Sequence, residues 1–112
     1  MAFKLAVANT VIVPVKFTVN NAGKEEQHNF SLDCARLMQN EITAKTKQGD
    51  GLISDFMKGV TRNWSDQRLV IDDENNPVPF SAEAFDVMLS LPGLPAVAFN
   101  SYLKECGAKE KN

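Results

Sequence analysis

The chain has 112 residues, 44% of them hydrophobic and 23% charged, with a formal net charge of −2. That length suits one domain with a single core, and that composition excludes wholesale disorder. Its twelve Lys and Arg residues are scattered, which argues against nucleic acid as a partner, because replacing counterions on phosphates needs a basic patch.

Residues 5–15 form an apolar-leaning run after Lys4, and Ala6-Val7-Ala8 imitates a cleavage site. In a signal peptide the small-residue site follows the apolar run, whereas here it opens it. Asn9, Thr10 and Pro14 interrupt the run, which is also too short to span a bilayer. The segment reads as structure, with no membrane partner and a cytoplasmic location expected.

Val11, Val13, Val15, Phe17 and Val19 alternate with Ile12, Pro14, Lys16, Thr18 and Asn20, the period-two pattern of a half-buried strand. Pro14 has no N–H for a ladder, which places this strand at a sheet edge or on a bulge. Asn20-Asn21-Ala22-Gly23 supplies a turn that tolerates positive φ. Alternation resumes at Phe30, Leu32 and Cys34. A β-hairpin joining residues 11–20 to 25–35 is predicted, with residues 3–7 as a candidate third strand.

Residues 36–50 read as a short helix or linker. Leu37, Met38 and Ile42 could stripe a helix that Thr43 and Thr46 weaken, and Gln48-Gly49-Asp50-Gly51 is a break. Beyond it Leu52, Ile53, Phe56, Met57, Val60 and Trp64 recur at helical spacing. A polar connector follows, in which Leu69-Val70-Ile71 is a candidate extra strand. Ser81 is placed to cap a helix, with Phe80 and Phe85 at the two positions of a hydrophobic staple and Glu83 in the first turn. Pro92-Gly93 ends that helix, and Pro95 suits the first turn of a last one bearing Phe99, Tyr102, Leu103 and Cys106 on one side. Gly107 stops it. The expected architecture is a single α+β domain: residues 1–35 mainly β, 51–108 mainly helical in two to three helices, and 109–112 a polar tail.

Residues with reactive side chains do not converge. His28 has no second histidine or nucleophile beside it, so neither a triad nor a zinc site is expected. Cys34 and Cys106 form no metal-ligand cluster and read as reduced thiols. Asp72, Glu74, Asn76 and Glu83 share the ligand spacing of a calcium loop, but Pro77 occupies the position where such a loop needs a sharp glycine turn. Asp72/Asp73 and Glu25/Glu26 are adjacent on extended segments and point to opposite faces. No catalytic residue, cofactor or metal is expected, and the chain reads as a non-enzyme. The candidates for protein binding are apolar: Trp64, either a core plug or an interface anchor, and Phe99, Tyr102 and Leu103 on the last helix.

One family resemblance emerges from the second half. Asp55-Phe56 through Trp64, Asp72-Asp73-Glu74-Asn75, Pro77-Val78-Pro79-Phe80-Ser81, Leu91-Pro92-Gly93-Leu94-Pro95, Tyr102 and the Lys111-Asn112 ending resemble tail assembly chaperones of long-tailed bacteriophages or prophages. The N-terminal hairpin also fits, so the resemblance covers most of the chain, and residues 36–48 give no match. The resemblance implies a cytoplasmic protein, absent from the finished virion, that coats the helical tape-measure protein. It further implies homo-oligomerisation and a frameshifted longer form that recruits tail tube subunits. Glu110-Lys111-Asn112 is compatible with an A-AAA-AAC slip site. An edge strand with alternating valines also invites pairing between copies. A structural tail or head–tail connector protein, or another small interaction module, is the alternative.

Overall fold

The computed structural model describes residues 8–46 and 53–107; the candidate strand at 3–7, the break at 48–51 and the 109–112 tail lie outside the described residues. Within them the order is β1 (Thr10–Asn21), β2 (Lys24–Ala35), α1 (Gln39–Thr46), α2 (Ile53–Val60), β3 (Thr61–Ser65), α3 (Ala82–Leu89) and α4 (Leu94–Cys106). The fold is α+β, a three-stranded antiparallel sheet in the order β1-β2-β3 with helices.

β1 and β2 pair in unbroken register from Thr10↔Ala35 to Asn21↔Lys24. Their two-residue turn holds Ala22 at φ 56° and Gly23 at φ 92°, the positive values that match a hairpin turn to strand twist. Gly23 adopts this conformation freely, while the Cβ of Ala22 disfavours it. Asn20 Oδ1 supports the turn by accepting a 2.8 Å bond from the Gly23 N–H.

The register also explains Pro14. In a two-residue hairpin the pair flanking the turn exchanges both ladder bonds, and bonded and non-bonded pairs then alternate. Counting back from Asn21, odd-numbered β1 residues bond to β2 and even-numbered residues turn their backbone groups to the other side. The missing N–H of Pro14, opposite Ser31, therefore costs the β1–β2 ladder nothing and falls on the edge of β1 that no described strand pairs.

Helical spacing carries the chain only to Val60. Trp64 lies in β3, paired with Leu32 across a ladder that shifts register between Asp33 and Cys34. Thr61, Asn63 and Ser65 are poor helix formers, and β2 would otherwise leave its second edge unpaired. The Leu69-Val70-Ile71 segment contributes a single bridge, Ile71↔Pro77.

Side chains on one sheet face (Val11, Val13, Val15, Phe30, Leu32, Cys34) meet Met57 and Val60 of α2, Phe85, Met88 and Leu89 of α3, and Leu94, Ala98 and Tyr102 of α4 in one buried core. The Ser81 cap forms as expected, its Oγ accepting from Ala84 N–H at 3.0 Å. Phe80 and Phe85 close the staple with ring centroids 5.5 Å apart. Pro95 sits in the first turn of α4, and Gly107 caps its end.

Candidate binding cleft

Each sequence candidate has a definite place, and two of the four are internal. Trp64 is buried, its ring edge-to-face with Phe80 at 5.2 Å and with Phe85 at 6.3 Å. Its indole N–H donates to the Val78 carbonyl at 3.2 Å. Tyr102 is 0% exposed. Its hydroxyl donates to the Ala35 carbonyl at 2.7 Å and accepts from the Leu37 N–H at 3.2 Å, so the tyrosine pins α4 to the end of β2. Neither residue is a surface anchor in this fold. Burial of an aromatic ring contributes most where its polar tip finds a partner, and here both tips do. Phe99 and Leu103 are half-buried; Phe99 packs edge-to-face on Phe56 of α2 at 5.1 Å.

Cys34 and Asp72 are likewise engaged inside the fold. Cys34 is buried, with Sγ 3.6 Å from Thr61 Oγ1, and burial pushes its thiol up to about 11. Asp72 uses Oδ1 to accept from the Glu74 and Asn76 N–H groups, both at 2.9 Å. It thereby closes a turn instead of lining a calcium loop. Among the described residues, no group of three His, Cys, Asp or Glu is arranged to hold a metal ion. No single described helix is long and apolar enough to cross a membrane.

Open space lies where the hairpin outruns its cover. β1 has 12 residues and α4 has 13; at ~3.3 Å per strand residue and ~1.5 Å per helical residue the strand is about twice as long. The C-terminal end of α4 is held at the base of the hairpin, where Arg36 Nη1 donates to the Cys106 carbonyl at 3.1 Å. At its N-terminal end Leu94 and Val97 border open space together with Phe17–Asn20 of β1. Two openings result. One, about 430 Å³, lies between Phe17 and Val19 of β1 and Leu91, Leu94 and Val97. The other, about 750 Å³, lies between Val19, Glu26 and His28 on the hairpin and Arg68, Leu69 and Ile71 on the connector. Val19, Asn20 and Leu91 line both, so the two openings adjoin and are together called the cleft.

No family model matches the chain, and neither does any curated protein or solved structure.

Ring contacts on one side and a buried amide on the other shape the cleft. On the hairpin side the Phe17 ring stacks on His28 at 5.4 Å and meets Phe30 edge-on at 5.9 Å. On the connector side Gln67, 2% exposed, organises the backbone. Its Nε2 donates to the Val70 and Val78 carbonyls at 2.9 and 3.3 Å, and its Oε1 accepts from the Leu69 and Val70 N–H groups at 3.0 and 2.8 Å. A buried amide with every bond made fixes a loop that has almost no ladder of its own. Sequence reasoning passed over Gln67, since one glutamine in a polar connector carries no pattern. Val19 was visible as an inward strand position, but Leu91 and Leu69 became wall residues only through tertiary packing.

Proposed function

We propose that this chain is a protein-binding module of the tail assembly chaperone kind, shielding a tape-measure partner before tube subunits surround it. The observation that carries the reading is the cleft: half-buried Val19, Leu69, Leu91 and Val97 face space that no described element fills. Such a surface offers moderate apolar area, suited to holding a helical partner that must later be released. The resemblance of residues 55–64, 72–81 and 91–95 to that family supplies the partner's identity. In the same reading a longer frameshifted form recruits tube subunits. Copies arrayed along one tape measure meet through faces other than the centre of β1's edge, where Pro14 and Lys16 oppose pairing.

Co-expression with the tape-measure protein of the same phage tests it. Soluble tape-measure protein is expected to rise with the chain present, and mass spectrometry of purified particles is expected to find no copy of the chain. A tape measure equally soluble alone rejects the chaperone reading. Recovery of the chain from finished particles favours a structural tail or connector protein instead.

A further inference from the structure

The outward backbone groups of β1 are not alike along its length. Even-numbered residues turn N–H and C=O away from β2, and those of Lys16, Thr18 and Asn20 find no partner among the described residues. Pro14 has no N–H to offer, so the longest unbroken row of outward donors and acceptors runs over Lys16–Asn20. The smaller opening lies beside this stretch. Its strand residues come from β1 alone: Phe17 and Val19, which point to the core face, and Thr18 and Asn20, which point to the other. An opening lined from both faces of one strand, and by no residue of β2, lies along that strand's outer edge. Half-buried Leu91 and Val97 stand across it. Lys16 is exposed and is the only charged side chain in β1. Its neighbours across the ladder, Asn29, Gln27 and Ser31, are neutral, and it has no ion pair among the described residues.

We propose that Lys16–Asn20 takes an extended segment of a partner protein as an added strand, with an apolar side chain in the smaller opening and an Asp or Glu beside Lys16. A row of unbonded backbone groups selects an extended chain over a helix, whose own N–H and C=O groups are already used. Ladder bonds supply the affinity. Alternate side chains supply the specificity, one set facing the opening and the other facing Lys16. A second copy of this chain fits poorly, because its outer strands β1 and β3 carry Lys16 and Arg62 and no carboxylate. Pro14 stops the added strand from lengthening, which keeps the contact short and reversible. This partner chemistry rests on the chain being a binding protein, but it does not require that the partner be a tape measure.

The test is fluorescence anisotropy of the whole chain with a labelled synthetic peptide of alternating Val and Thr, bearing one Glu at a Thr position. Two further peptides carry backbone N-methyl groups on alternate residues, one on the Val positions and one on the Thr positions. Only every second N–H of an added strand faces β1, so one methylated peptide is expected to bind about tenfold more weakly or worse and the other within about threefold of the parent. Thr18→Pro removes one outward N–H and, as at Pro14, no β1–β2 bond; it is expected to weaken binding about tenfold. Ile12→Pro makes the same change beyond Pro14 and is expected to leave binding within about twofold. Lys16→Glu is expected to turn the preference from the Glu peptide to one with Lys in its place. Thermal melts establish that each variant is folded, and the methylated peptides test the unaltered chain. No binding at millimolar peptide overturns the proposal, as do equal losses on methylating either set, equal effects of Ile12→Pro and Thr18→Pro, or a charge preference that Lys16→Glu leaves unchanged. A dimer in light scattering that Thr18→Pro dissociates would assign the edge to a second copy and also overturn it. Peptide binding without tape-measure rescue keeps the added strand and removes the chaperone reading. Rescue that survives Thr18→Pro and Lys16→Glu removes the added strand and keeps the chaperone.

Discussion

Tyr102 bonds two backbone groups, accepting from the Leu37 N–H and donating to the Ala35 carbonyl. Replacing it with Phe keeps the ring but strands the Ala35 carbonyl and the Leu37 N–H, which is expected to cost about 1–3 kcal/mol in urea melts. Tyr102→Asp would bury a charge in the core and is expected to unfold the chain, so it tests stability and not binding. A second residue-scale effect appears in alkali. The folded state raises the thiol of Cys34 to about 11 from a model-compound value of 9.0, and burial also raises the Tyr102 phenol. Above pH ~9 the unfolded chain releases a thiol proton that the folded chain retains, so this contribution is intact below that value and is lost as pH rises towards 11. Urea midpoints measured across that window should fall, by up to about 1.4 kcal/mol per pH unit for one such thiol. Cys34→Val should flatten the slope. The Ser81 cap and the Phe80–Phe85 staple were legible in sequence because each depends on neighbours a few residues away. Tyr102 was legible as an aromatic on a helix but not as a pin, since its partners are 65 and 67 residues distant.

At the scale of elements the hairpin was the most readable part of the chain. Period-two alternation fixed which residues face inward, and a two-residue turn fixed the register, so the outer-edge position of Pro14 follows by counting. Edge strands are guarded by prolines and lysines that spoil pairing with a neighbour, and β1 carries both at its centre. Pro14→Val restores an outward N–H and removes a guard while leaving every β1–β2 bond in place. The variant is expected to show little change in thermal stability but more concentration-dependent association by light scattering; unchanged association would show the edge to be covered some other way. The junction of α2 and β3 was the least readable element. Helix passes to strand between Val60 and Thr61, directly after Gly59, and Trp64 falls at a spacing that continues the helical stripe. What decided the outcome was the second edge of β2, a feature of the sheet and not of the local sequence.

At the scale of the molecule the cleft was not legible at all. It arises from a mismatch between the length of a strand pair and the reach of one helix, and from a connector whose shape depends on the bonds of Gln67. Residue types pointed to apolar surface, but not to where that surface would be. The tether between Tyr102 and Ala35 has a consequence in time. The hairpin needs only its own 24–26 residues or so to form, whereas the phenol that locks the end of β2 is made 67 residues later. At about 5–20 residues per second of synthesis, that interval is roughly 3 to 13 seconds. Throughout it the valines of β1 wait for the helix that will cover them, among many nascent chains in the same condition. The guard at Pro14 therefore matters most before folding is complete, during seconds when the newly made strand has its face bare and its edge within reach of every neighbour.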